Sequence, residues 1–128
     1  MSDPRPPLAC FDDDVIEAVA RDCSLDEDEL RALATRHQRA VRDLPGVEDI
    51  VYEWRSQFHQ DPLLTRTDAV YVLVHRPHVW EEYVESLALD DADATALRSL
   101  HREQARTLVG AGEDDRLAAG EPMVLTRP

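Results

Sequence analysis

The stretch VYVLVHRPHVWEEYVESL, residues 70–87, decides the fold of this chain. Its first five residues are apolar or aromatic without polar alternation, which is typical of a strand buried on both faces. The same residues also continue a helical spacing of side chains that starts at Leu63, with Asp61 and Pro62 as a suitable helix start. We therefore favour a helix here and keep a strand as the alternative. Either choice predicts that residues 70–74 are buried.

The fold class follows from that choice. With a helix at residues 70–74, the chain is mainly α, a compact bundle of five or six short helices. With a strand, it is an α+β domain in which a small sheet pairs residues 69–75 with residues 122–126. This pairing is expected because Met123 to Thr126 is the other β-like run of the chain.

The remaining elements are predicted from apolar residues at helical spacing. The best-marked helix is expected to start at Ser24, which would form a capping box with Glu27. Pro77 is expected to open a further helix, since proline is favoured in the first turn. His37 lies on the apolar stripe of the Ser24 helix and is interpreted as a histidine at the edge of the core.

A length of 128 residues predicts one domain. Three prolines among the first seven residues predict a flexible arm over residues 1–11, followed by a helical domain over residues 12–109. The glycine-rich stretch GAGEDDRLAAGEP predicts a flexible tail over residues 110–128.

The charge composition is unusual. The chain has 14 basic and 27 acidic residues and a formal net charge of −13, and it contains neither lysine nor asparagine. This composition resembles that of proteins from extreme halophiles, which keep molar salt in the cytoplasm. At such salt the Debye length is about 3 Å, so the repulsion between surface carboxylates is largely screened. We therefore interpret the acidity as adaptation to solvent and not as the mark of a charged partner.

Several function classes are disfavoured. The N-terminus lacks the apolar segment of a signal peptide, and no apolar run approaches the roughly 18 residues of a membrane span, so we expect a soluble cytoplasmic protein without membrane contact. Cys10 and Cys23 are expected to be free thiols. The chain lacks phosphate-binding and dinucleotide-binding glycine motifs and a nucleophile elbow, which argues against a recognised enzyme mechanism.

Nucleic-acid binding is only a distant alternative. Residues 15–37 have the proportions of a helix-turn-helix, as in a DNA-binding regulator. However, the would-be recognition helix begins with four acidic residues at positions 26–29, where phosphates would be met. We therefore expect no nucleic-acid partner.

A metal site is the main alternative to a purely structural role for the two histidines that flank Pro77. If Pro77 opens a helix, His78 and Glu82 lie on one face at i and i+4, and His75 could join them as a third ligand. Such a set would hold a divalent metal such as zinc and support a metal-dependent hydrolase, with a contribution from His37 or His101. In the structural interpretation, the histidines are hydrogen-bonded near a helix start and Glu82 faces solvent.

The favoured function is a non-catalytic protein-interaction or regulatory module without a cofactor. Its partner would be another protein or a second copy of the chain, and Trp54, Trp80 and Tyr83 are the expected interface anchors. A stripe of arginines, Arg98, Arg102 and Arg106, is expected to pair with acidic residues at positions 81, 82 and 85.

Overall fold

A computed structural model describes residues 4–43, 46–57 and 61–128. Over these residues the chain forms six α-helices, one turn of 3-10 helix and three β-strands. In chain order they are α1 (Asp13–Asp22), α2 (Glu27–Asp43), α3 (Val47–Gln57), β1 (Leu63–Arg66), β2 (Val70–His75), α4 (Pro77–Ser86), α5 (Asp91–Val109), the 3-10 turn (Ala111–Glu113), α6 (Asp114–Ala118) and β3 (Glu121–Thr126). No helix in this described part of the chain is long and apolar enough to cross a bilayer.

The run at residues 70–75 is a strand, β2, and it is the centre of the sheet. β2 pairs antiparallel with β1 on one side and with β3 on the other. Five of its six residues are buried, and since successive side chains point to opposite faces, both faces of the strand are covered. The favoured helix is therefore wrong at these residues. The alternative is confirmed: a mainly α chain with a small sheet.

The C-terminal segment belongs to the core. β3 pairs with β2 over residues 121–126, with Val124 opposite Val72, and Met123, Val124 and Leu125 are completely buried. The prediction of a flexible tail over residues 110–128 is therefore wrong. Proline at position 122 is compatible with a strand because β3 lies at the edge of the sheet, where a missing N–H breaks no ladder bond.

The N-terminal arm is anchored where it reaches the first helix. Phe11 is buried, and the Cys10 thiol donates a hydrogen bond to the Ala69 carbonyl at 3.1 Å. The last residues of the expected arm are thus packed on the domain, while residues 1–3 lie outside the described residues. Cys10 and Cys23 are both free thiols, half-buried.

Ser24 ends one helix and does not begin the next. Its φ of 54° is left-handed, and the N–H of Leu25 donates to the Ala20 carbonyl, as in a Schellman motif that closes α1. The start of α2 is capped by Asp26, whose carboxylate accepts from the Asp28 N–H at 3.1 Å. The expected capping box is therefore wrong by two residues.

The outer edge of β3 is covered by side chains from the helices. Gln38 of α2 donates to the Val124 carbonyl at 2.8 Å and accepts from the Thr126 N–H at 2.9 Å. A single amide therefore replaces the neighbouring strand that this edge lacks.

Two aromatic side chains complete the same edge. Trp80 of α4 donates from Nε1 to the Pro122 carbonyl at 3.0 Å. His101 of α5 accepts at Nδ1 from the Val124 N–H at 2.9 Å. Three helices are thus fastened to one strand by hydrogen bonds to its backbone.

Replacing Gln38 with alanine should strongly destabilise the protein. The substitution leaves the Val124 carbonyl and the Thr126 N–H buried without these partners, which costs about 2–5 kcal/mol of unfolding free energy. Chemical denaturation measures this loss, and Gln57→Ala, at an exposed position on α3, is the matched control and should change little. A cost below about 1 kcal/mol for Gln38→Ala would show that the edge bonds are not needed.

Gly120 allows β3 to start close to β2. A Cβ at this position would lie 2.6 Å from the His75 carbonyl oxygen and 2.8 Å from a methyl carbon of Val74. Backbone atoms cannot move aside as a flexible side chain can, so the two strands would have to separate.

Gly120→Ala should therefore lower the unfolding free energy by about 2 kcal/mol or more, whereas Gly112→Ala should shift it by less than about 0.5 kcal/mol. Gly112 is the matched control because a Cβ there meets no atom within 4 Å. Thermal unfolding of the two variants side by side tests the difference. Equal melting temperatures would contradict the close approach.

Candidate functional site

A cleft of about 880 Å³ lies at the end of β2. Its walls come from the junction of β2 with α4, from the start of β1, from the end of α3 and from the loop between α6 and β3. The lining residues are Gln57, Asp61, Pro62, Val74, His75, Arg76, His78, Arg116, Ala119 and Gly120.

The structure brings two of the three expected metal ligands to this cleft. His75 and His78 both line it, while Glu82 is exposed on α4 and is not part of the wall. Among the residues that the structure describes, no three histidine, cysteine, aspartate or glutamate side chains are placed to hold a metal ion. The structure therefore does not bring the expected set of His75, His78 and Glu82, with His37 or His101, together as a metal-binding group.

The three residues do not converge because the chain changes direction at Pro77. His75 is the last residue of a strand and is 2% exposed, with its ring 4.3 Å from that of Trp54. His78 and Glu82 stand on a helix, where both are exposed. Spacing along the chain could not show that the first ligand would leave the helix face.

Within the described part of the chain, the cleft has two arginines, both exposed, and one carboxylate. Arg76 comes from the residue before α4 and Arg116 from α6, and the acidic residue of the wall is Asp61. Asp61 is already held by Arg55, whose guanidinium lies 2.9 Å from it. Although burial acts the other way, hydrogen bonds from Arg55 and from the Leu63 N–H lower the pKa of Asp61.

Histidines and aromatic rings form a buried cluster beside this sheet. His37, Trp80 and His101 are completely buried. The His37 ring stacks on Trp80 at 4.9 Å, and His101 meets Trp80 edge-on at 4.7 Å. His37 is thus a core residue, deeper than the core edge that we expected.

His37, His75 and His101 are neutral in the folded chain. Burial, with a smaller effect of His75, lowers the pKa of His37 to about 3. Burial and His37 lower the pKa of His101 well below its usual value, and burial and His78 lower that of His75 to about 4. The hydrogen bond that His101 accepts at Nδ1 requires this neutral ring.

Two of the expected interface anchors, Trp54 and Trp80, are core residues, and Tyr83 is half-buried against the core. Trp54 is 7% exposed, Trp80 is fully buried, and Tyr83 packs its ring edge-on against His37 at 4.9 Å. Among the described residues, the exposed large apolar side chains are Tyr52, at 73%, and Leu108, at 38%. The number of aromatic residues in the sequence does not show which of them are exposed. The position of Tyr52 does give a signal, because Tyr52 lies beside the apolar stripe of α3 and not on it.

Tyr52 stands at a second cleft, of about 380 Å³. We define the α3–β1 surface as the residues that line this cleft, namely Glu48, Val51, Tyr52, Arg55, Ser56, Asp61, Arg66 and Tyr71. Tyr71 donates from its hydroxyl to Glu48, and the same carboxylate accepts from Arg127 at 3.0 Å. These contacts hold the side chains of Tyr71 and Glu48 in place, while the Tyr52 side chain projects into solvent.

The arginine stripe of α5 joins the helix to the sheet. Arg98 and Arg102 each lie 3.1 Å from the carboxylate of Glu121, at the start of β3. Arg106 pairs with Glu103 of the same helix at 3.2 Å. The expected pairing with the acidic residues of α4 is wrong: within the described residues, Glu81, Glu82 and Glu85 form no ion pair with the stripe.

A family model described as Domain of unknown function (DUF8048) matches residues 9–127. The chain belongs to this family. The match extends from the end of the N-terminal arm through β3, so the final strand is part of the DUF8048 unit. No match was found among the curated proteins, and none among the solved structures.

The neutral core histidines make this DUF8048 chain acid-sensitive. In the unfolded chain a histidine takes up its proton near pH 6.5, whereas His37, His75 and His101 remain neutral in the fold until a much lower pH. The stability is therefore complete above about pH 6.5 and is lost as the pH falls, at up to about 1.4 kcal/mol per pH unit for each histidine.

Unfolding free energies measured between about pH 7 and pH 5 test this dependence. His101→Gln should reduce the slope by about one proton. An unaltered slope in His101→Gln would contradict the assignment, whatever the absolute stability of the variant.

Proposed function

We propose that this protein is a non-catalytic interaction module of a salt-rich cytoplasm and that it acts as a homodimer joined through the α3–β1 surface. The observation that carries the proposal is Tyr52, which is 73% exposed in a chain that buries both of its tryptophans. Tyrosine offers a large, stiff contact area with one polar end and is enriched among the residues that dominate binding energy.

The charge of the α3–β1 surface supports a second copy as the partner. Salt screens the long-range repulsion between two chains that each carry a formal charge of −13, but carboxylates brought into contact across an interface still repel one another. The α3–β1 surface balances two carboxylates, Glu48 and Asp61, with two arginines, Arg55 and Arg66. A twofold axis places the same patch on both partners, so a mixed patch can be complementary to itself.

The shape of the sheet edge at this surface favours contact through side chains. β1 has only four residues, and its pairing with β2 is irregular between Leu63 and Thr65. Short, irregular edge strands are poor templates for the addition of another strand. The proposed dimer therefore rests on Tyr52 and its neighbours and not on a continuous sheet.

The composition supports the environment that we propose. A surface rich in carboxylates and without lysine suits a cytoplasm at molar salt, where repulsion is screened. The first turn of α2 carries Glu27, Asp28 and Glu29, which does not favour a nucleic-acid partner. We accordingly propose a protein partner, in the form of a second copy.

Sedimentation equilibrium in about 2 M potassium chloride tests the dimer. The wild-type protein should show twice its chain mass of 14.5 kDa. Tyr52→Ser should raise the dissociation constant at least tenfold, which corresponds to a loss of about 1.4 kcal/mol or more.

Leu108→Ser is the matched control, because Leu108 is the other exposed large apolar side chain among the described residues. This variant should remain dimeric. A wild-type protein that stays monomeric at submillimolar concentration would refute the proposed dimer, and so would an equal loss of association in the two variants.

A further inference from the structure

We propose that the cleft at the end of β2 binds a small organic oxyanion, a molecule carrying a phosphate or carboxylate group that Arg76 and Arg116 hold between them. This site is separate from the α3–β1 surface, which it meets only at Asp61. The proposal concerns a ligand and does not depend on the dimer.

The charge of the cleft differs from that of the other concave surfaces. Among the residues that the structure describes, its wall has two arginines against one aspartate. A cleft between α4 and α5 has three acidic residues, Glu81, Glu85 and Asp91, against one arginine, and the α3–β1 surface is balanced. In a chain with nearly twice as many acidic as basic residues, the β2 cleft is the concave surface with a cationic wall among these three.

The two arginines are available for a ligand. Within the described part of the chain, no carboxylate lies in ion-pair range of Arg76, and the partner of Arg116 is Glu113 at a long 3.9 Å. By contrast, Arg55 is committed to Asp61 at 2.9 Å, which neutralises the one acidic group of the wall. Guanidinium groups bind phosphate and carboxylate through paired hydrogen bonds, which give geometric selectivity in addition to charge.

The start of α4 adds to the positive potential. Its first turn contains no acidic residue, whereas α1, α2, α3 and α5 each have at least two. Arg76 is its N-cap residue and makes no side-chain cap, so the dipole of the helix is not offset by a carboxylate there. The helix end supports the two arginines and is not the site by itself.

The size and the remaining walls indicate an organic molecule. The volume of about 880 Å³ is far larger than a bare ion needs and lies within the range of small-molecule sites, about 300–1,000 Å³. Pro62, Val74 and Ala119 provide apolar parts of the wall. A ligand with a charged head and a short carbon body uses both kinds of surface.

Titrations with glycerol phosphate and with succinate test the site, each at constant ionic strength, with potassium chloride lowered as the probe is added. Backbone amide resonances, followed by NMR, should shift saturably for residues 74–76, 78 and 119–120. Saturation by both probes supports a general oxyanion site, and saturation by one identifies phosphate or carboxylate as the preferred group. Saturation by neither overturns the proposal, as do shifts that centre on another part of the chain.

Arg76→Gln and Arg116→Gln should each weaken binding at least about tenfold, because each removes a charge-assisted pair of hydrogen bonds. Arg106→Gln is the matched control, since Arg106 is exposed on α5 away from the cleft, and it should bind as the wild type does. An equal loss in Arg106→Gln would show that the anion merely follows the overall charge. Tyr52→Ser should bind the probe normally, which separates this site from the proposed dimer.

Discussion

The hydrogen bonds on the outer edge of β3 hold the helices and the sheet together. A small sheet needs a packed hydrophobic face to be stable, and the edge of a strand exposes backbone groups that need partners. Gln38, Trp80 and His101 supply those partners from three separate helices. Because each donor or acceptor is buried, the helices cannot leave the sheet without exposing its edge, and the fold should be cooperative.

The same arrangement explains why polar residues occupy the core. Gln38, His101 and His37 are buried almost completely among aliphatic and aromatic side chains. Burying a polar group is unfavourable unless it is hydrogen-bonded, and the backbone of β3 provides that bond for Gln38 and for His101. The neutral form of the histidine is then required by the fold, so acid resistance is limited by the same interaction that closes the sheet.

Local patterns in the sequence predicted the features that depend on local physics. The burial predicted for residues 70–74 agrees with the structure except at the half-buried Val74, and so do the helix that starts at Pro77 and the free state of both cysteines. The choice between helix and strand at residues 70–75 was wrong because the apolar run satisfies both periods. Its strand partner, β3, lies about fifty residues further along the chain, behind a segment whose glycines and charges are typical of a tail.

The candidate site was less predictable than the fold because it depends on where each side chain points in the folded chain. The sequence drew attention to the residues around Pro77, and for the histidines there it offered a structural role with a metal site as the alternative. It gave no reason to single out Arg116, which reaches the cleft only because β3 folds back along β2. Likewise, Tyr52 and Trp54 are two residues apart on one helix, and only packing shows that one is exposed and the other buried.

The corner at Arg76 and Pro77 accounts for the chemistry of the cleft. Side chains alternate along β2, so when His75 turns inward against Trp54, Arg76 turns outward. Pro77 then ends the strand and starts α4 at the same point, which brings a helix N-terminus beside that arginine. A buried neutral histidine, an exposed cation and the positive end of a helix are thus three consequences of one change of direction, and together they favour an anion over a metal cation at this place.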